Sequence, residues 1–411
     1  MRMLKSFSLL FLLTTLTAVH ADDWTTWRGP NANGISLEKG WNAQALNTPD
    51  ILWKAEVGRG HSAVTVKGPR LYTMGEAVTR TASDTTYYDA VLCLDSRTGK
   101  EIWRFQYESP LETWPGPGAT PVLNGNRLYT IGREGDVHCL NASTGKVIWH
   151  RNLLTEGLSE KPNWGFSGSV LIHDNLAVVN AGQSGVALDK ATGDVIWKSA
   201  PEKCGLATPV LWHRDGRDQI VINGNKIITG VHAQTGRPLW SQSWFSYTDP
   251  QFFGNRFFNP TSESGLGYFQ VNGATVDTVW QKKRLRGYTW NNFIVMDGYA
   301  YGFCMVRRNF HLHCIHLDTG EVKWSTPMPH WGALLGAGDK LILIDGVGHL
   351  SVLKASPEGH EVLSETTLWD LGDWQKYPRG EPNVCWTMPV LANGQLYVRN
   401  TFGALVCLNM K

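Results

Sequence analysis

The 411-residue chain has no charge excess of either sign, with 38 Lys+Arg against 36 Asp+Glu. Without a basic field it has no general grip on polyanions, which argues against a nucleic-acid partner. Charged residues are scarce, 18% against a usual quarter, while 42% are hydrophobic, a balance that argues against disorder. Uninterrupted stretches for long helices are also lacking, because 43 Gly and 19 Pro punctuate the chain. Several catalytic signatures are missing: there is no phosphate loop, nucleophile elbow, H-E-x-x-H or C-x-x-C-H, and no two cysteines are adjacent. What is abundant is tryptophan, 19 residues of it.

Residues 1–21 run from MRMLK through the apolar SFSLLFLLTTLTAV to His20-Ala21, the pattern of a secretory signal peptide cleaved after Ala21. The apolar stretch is short and Thr-rich for the ~30 Å hydrocarbon core, so no membrane span is expected. The expected location is exported, periplasmic or extracellular. The first cysteine is Cys93, which leaves no thiol for lipid attachment near the cleavage site. Four of the seven cysteines recur at one position, Cys93 in VLCLD, Cys139 in VHCLN, Cys314 in LHCIH and Cys407 in LVCLN. Equivalent positions on separate repeats lie beyond the ~7 Å Cα limit for a bridge, so they read as small packing residues. Cys304 and Cys314 are near enough in sequence to cross-link, but free thiols are expected there too.

LDSRTGKEIW (94–103), LNASTGKVIW (140–149), LDKATGDVIW (188–197), VHAQTGRPLW (231–240) and IHLDTGEVKW (315–324) share Thr-Gly followed four residues later by Trp. Weaker copies end at Trp280 and Leu363, and Ile51-Leu52-Trp53 stands alone near the start. These anchors define eight units of about 45 residues, the period of a propeller blade. A tight-turn string such as NGN (124–126) or DG (297–298) occurs once in each unit and supplies an independent count of eight. Each unit reads as four short strands, A to D, with Thr-Gly as the C–D turn. The C-terminal unit stops before its own strand D, and Ile51-Leu52-Trp53 is a strand D without a unit. Pairing them closes the ring and removes two edges. The expected architecture is an all-β, eight-bladed propeller over 51–411, preceded by an N-terminal extension at 22–50.

The string Ala187-Leu188-Asp189-Lys190-Ala191-Thr192-Gly193-Asp194-Val195-Ile196-Trp197 resembles the tryptophan-docking motif A-x-D-x-x-T-G-x-x-x-W of the pyrroloquinoline-quinone (PQQ) repeat propellers. Relatives of the string begin at Cys93, Cys139 and Cys314, and WRGPNANGIS (27–36) is similar to the opening of exported PQQ-like propellers. The resemblance implies structural docking between blades by Trp53, Trp103, Trp149, Trp197, Trp240, Trp280 and Trp324. That family contains quinoprotein dehydrogenases and the BamB-type scaffold of outer-membrane protein assembly. A dehydrogenase of this kind needs Ca²⁺ held by carboxylate and amide oxygens, an Asp base near the quinone and commonly a disulfide of adjacent cysteines. The adjacent pair is absent, and no matching Glu, Asn and Asp set stands in the loops.

Strands running from axis to rim place the tight turns on one face and the long connections on the other. The long connections are 76–88, 106–118, 153–166 and 368–384. That face carries the candidate ligand or partner residues His61, Trp114, Trp164, Trp290, Asn291, Asn292, His330, Trp331 and Trp386. Two roles are open to these aromatics: to bind a ligand, or to plug the channel. His311-x-His313 puts two imidazoles on one strand face, a pair short of a metal site. Asn141-Ala-Ser143 fits a glycosylation sequon inside a turn. The expected function is an exported, non-catalytic scaffold that binds a protein, or a glycan, through its long-loop face. No catalytic or metal-ligating residue and no cofactor is assigned. The alternative is PQQ-dependent oxidation of an alcohol or sugar, with PQQ and Ca²⁺ as cofactors.

Overall fold

The computed structural model describes residues 23–110, 116–261, 264–287, 292–307, 309–369 and 385–411. The expected signal peptide, most of the 368–384 connection, Trp114, Trp290 and Asn291 lie outside them. Eight sheets follow one another along the chain as the blades of a propeller, at 65–108, 122–152, 171–198, 210–243, 251–282, 286–328, 332–367 and 390–409. Blade 8 takes its strand D from the other end of the chain: Ile51–Glu56 pairs antiparallel with Ala404–Asn409. Among the described residues one 3-10 turn, Ala45–Asn47, is the whole helical content. No helix there is long and apolar enough to cross a membrane.

In every blade the C–D ladder skips one residue of strand D. The skipped residues are Ile102, Ile148, Ile196, Leu239, Val279, Lys323, Leu363 and Leu52. Such a bulge twists the outermost strand and spoils it as a pairing template. In seven blades the next residue is the anchor tryptophan. In blade 7 that position belongs to Ser364, one residue after the expected anchor Leu363, and its hydroxyl donates to the Ala43 carbonyl at 2.5 Å.

The repeated cysteine now has a steric reason. Cys93, Cys139, Cys314 and Cys407 sit directly across the ladder from Trp103, Trp149, Trp324 and Trp53, where a small side chain leaves room for the indole. All seven thiols are free and buried. Cys304 faces His311 and Cys314 faces Tyr301.

Each indole reaches the next blade. Trp53, Trp103, Trp149, Trp197, Trp280 and Trp324 donate Nε1–H to the carbonyls of Ser96, Ala142, Lys190, Ala233, Leu317 and Ser356 at 2.8–3.1 Å. The Gly of the next Thr-Gly packs on the ring. A Cβ on Gly193 would lie 2.8 Å from Trp149, and one on Gly236 2.5 Å from Trp197. Trp240 differs, facing blade 5, which turns from C to D at Gly273 without a Thr-Gly. Its Nε1–H goes to Gln219 Oε1 within its own blade, and its ring stacks on Phe257 at 5.7 Å. The polar third motif position accepts backbone N–H groups in the turn, through Asp95, Asn141, Asp189, His232 and His316. Any short side chain with an acceptor serves there, which explains its loose identity and makes Asn141 a turn element.

One expectation about the connections changes. The segment 76–88 is not a loop. Strands Arg70–Arg80 and Thr85–Asp95 continue as a long hairpin, because alternating Thr, Val and Tyr suit a strand. The N-terminal extension packs on the blades. Residues 24–36 cross the channel at the tight-turn ends of the inner strands. Trp24 bridges to Val66, the Thr25 carbonyl accepts from Leu123 N–H, Ile35–Ser36 pairs parallel with Gly336 and Ala337, and Ser36 Oγ donates to the Leu391 carbonyl.

Candidate functional site

Just ahead of the inner strands, on the long-loop face, the polypeptide repeats a short polar feature: Ala119-Thr120-Pro121-Val122, Ala207-Thr208-Pro209-Val210 and Thr248-Asp249-Pro250. Pro and the extended residue before it suit a strand entry. The polar side chain of each segment then bonds to a backbone N–H in the preceding blade. Ala63 N–H donates to Thr120 Oγ1 at 3.0 Å, Thr120 N–H to Ser169 Oγ at 2.9 Å and Ser169 N–H to Thr208 Oγ1 at 2.9 Å. The series continues from Thr208 N–H to Asp249 Oδ1 at 2.7 Å and from Asp249 N–H to Asn292 Oδ1 at 2.8 Å. Five bonds thus tie blades 1 to 6 in an arc around the axis, and they satisfy buried backbone donors that have no ladder partner.

Inside this arc lies a cup of about 390 Å³ lined by residues from all eight blades. Trp27 of the N-terminal segment lines it too. Its Nε1–H donates to Asp249 Oδ2 at 2.7 Å, and Asn292 Nδ2 donates to the same oxygen at 3.3 Å. Burial raises the Asp249 pKa, with Arg28 opposing the shift. The aromatic wall comes from Trp164, Phe166, Tyr247, Trp331 and Trp386. Trp386 stacks on His61 at 4.9 Å and meets Trp331 edge-on at 5.4 Å. Burial, with Arg399 and Arg59 nearby, holds the His61 imidazole down to about 3, so it is neutral at physiological pH. Arg133 also lines the cup, but its charge is spent. The guanidinium meets Glu76 at 2.9 Å and Asp89 at 3.1 Å, both buried. Burial pushes the Asp89 carboxyl up to about 6 against the pull of Arg133.

Of the nine candidate residues, His61, Trp164, Asn292, Trp331 and Trp386 line this one cup. His330 does not line it, and Trp114, Trp290 and Asn291 lie outside the described residues. Sequence reasoning missed Trp27, Arg133, Thr208, Tyr247 and Asp249. The recurrent Ala-Thr-Pro-Val was a usable signal for Thr208 and its neighbours. The His311-x-His313 pair is tied up in hydrogen bonds: His311 Nδ1 and His313 Nε2 both meet Ser325 Oγ, at 3.0 and 3.2 Å.

Residues 88–249 and 184–329 match the sequence model of the family described as outer membrane protein assembly factor BamB. The chain is 24% identical over 331 residues to outer membrane protein assembly factor BamB of Yersinia pestis, a match that covers 78% of this chain and 69% of that one. The crystal structure of BamB from Moraxella catarrhalis superposes with a TM-score of 0.61 at 15% identity, covering 88% of this chain and all of that one. Quinohemoprotein alcohol dehydrogenase from Comamonas testosteroni superposes with a TM-score of 0.70 at 13% identity, covering 95% of this chain and 80% of that one. At such identities the two superpositions speak for the fold alone. The family match spans more than half of the sequence, and the chain therefore belongs to the BamB family of PQQ-repeat, eight-bladed β-propellers.

Proposed function

We propose that the protein is an exported, non-catalytic scaffold that binds a protein partner through its long-loop face, with an apolar side chain of the partner seated in the axial cup. The observation that carries this reading is how the cup's polar atoms are used. Ser169, Thr208, Asp249 and Asn292 engage side-chain oxygens in the inter-blade arc, and Arg133 is neutralised by Glu76 and Asp89. The surface left for an occupant is mainly aromatic, which favours a partner's apolar anchor over a glycan with its many hydroxyls. Relatives named for outer membrane protein assembly support the same reading.

The alternative, PQQ-dependent oxidation, draws support from the dehydrogenase superposition. The described residues of the cup do not fit that cofactor. Asp249 is the one carboxylate lining the cup among them, and both its oxygens already accept hydrogen bonds. Asn292 Oδ1 likewise accepts from Asp249 N–H, and one carboxylate with one amide is a sparse set for an ion that takes six to eight oxygens.

A photo-crosslinking residue at Trp164, which is 45% exposed at the cup, tests the scaffold reading in cells. Crosslinks to outer-membrane assembly components are expected from this position and not from Gly216, on the tight-turn face. Equal labelling from both positions would overturn the assignment of the face.

A further inference from the structure

The tight-turn ends of blades 3 and 4 bring together a cluster that the proposed function does not use. His173 ends the inner strand Leu171–His173 of blade 3, and Asp174 follows in the turn with φ +48. Asp218, on strand Arg217–Asn223 of blade 4, faces His213 of strand Val210–Arg214 in register. His173 Nε2 lies 3.4 Å from Asp174 Oδ2 and 3.2 Å from Asp218 Oδ2. One ligand atom from each of the three residues falls within 4.8 Å of the others.

The ring of His173 is 11% exposed, and its Nε2 is closed to water between the two carboxylates. A ring nitrogen facing two carboxylates can be bridged to them by its proton or, once that proton is displaced, by a metal ion. The spacing suits a metal: with bonds of about 2.0–2.1 Å, the ligands of a tetrahedral zinc lie about 3.3 Å apart. Outer contacts also hold both carboxylates. His213 Nδ1 lies 2.7 Å from Asp218 Oδ1, and Gln234 Nε2 donates to Asp174 Oδ2 at 3.3 Å. One imidazole with two carboxylates favours Zn²⁺-type ions over Ca²⁺, which takes six to eight oxygens.

We infer that His173, Asp174 and Asp218 form a divalent transition-metal site that joins blades 3 and 4, with a fourth position open to water. The signal was hidden because residues 173–175 read as turn residues and Asp218 lies in the next repeat.

Calorimetric titration of the whole purified chain with Zn²⁺ tests the site. One equivalent is expected to bind, with affinity reduced at least about tenfold in His173→Gln and in Asp218→Asn. His311→Gln, on blade 6, should keep it. Co²⁺ added to the unaltered chain should give the intense visible absorption of a four-coordinate centre, a readout that does not depend on the variants folding. Absence of a saturable Zn²⁺ site, equal binding in both cluster variants, loss in His311→Gln, or a Co²⁺ spectrum no stronger than that of the aqueous ion would each overturn the proposal.

Discussion

Trp27 and Asp249 stand 222 residues apart and share a 2.7 Å hydrogen bond from indole Nε1 to carboxylate Oδ2. The bond fastens the channel-crossing segment to blade 5, while the other Asp249 oxygen holds blade 4 through Thr208 N–H. One carboxylate therefore ties three parts of the chain. Asp249→Ala should leave several buried donors unpaired and cost on the order of 3 kcal/mol, whereas Asp249→Asn, which keeps an acceptor, should cost about 1 kcal/mol. Urea unfolding of both variants checks this. Equal costs would mean the carboxylate makes no such ties.

The contact between indole and Gly can be separated from the backbone cost of a turn. Gly236 and Gly216 have nearly the same φ, +67 and +69, but a Cβ on Gly236 would meet Trp197 at 2.5 Å while one on Gly216 would meet nothing within 4 Å. Gly216→Ala should cost the ~1 kcal/mol of a left-handed residue. Gly236→Ala should cost clearly more, and Trp197→Ala about 3–5 kcal/mol as a truncated buried aromatic. Matching melting temperatures for the two Gly variants would contradict inter-blade packing by Trp197.

Two buried histidines predict a loss of stability in acid. Burial, with His150 stacked at 4.3 Å, holds His138 down to about 3, and burial holds His313 down to about 4, against the usual 6.5. Protons therefore prefer the unfolded chain. The stabilisation is fully present above pH 6.5 and is lost as pH falls through the window toward 3–4. Melting temperature measured from pH 7 to pH 4 should fall less steeply for His138→Gln than for the parent. Parallel curves would show that His138 does not contribute.

Deleting residues 51–57 should remove strand D of blade 8 and leave Ala404–Asn409 as an open edge. Light scattering after size exclusion is expected to show association. A monomer with the parent's melting temperature would mean the closing strand is dispensable.

The ring of eight was legible because its determinants are local and repeated: Thr-Gly sets a turn, and the Trp follows at constant spacing. The repeated cysteine was legible for the same reason, since it faces that Trp across one ladder. The inter-blade arc was harder to see. Thr120 and Ser169 each bond to a backbone N–H of the preceding blade, and a main-chain donor leaves no trace in side-chain identity. Trp27 stood in a visible motif, but its partner Asp249 lies 222 residues on, ahead of blade 5, and His173 and Asp218 lie in different repeats. Pairs of that kind depend on closure of the ring, which brings together positions with no common spacing.

The most direct measurement is titration of the purified chain with PQQ and Ca²⁺, following the quinone absorbance and dye-linked oxidation of alcohols and sugars. A cup whose polar atoms are committed to holding blades together predicts no saturable PQQ binding and no turnover. Saturable binding with turnover would contradict it.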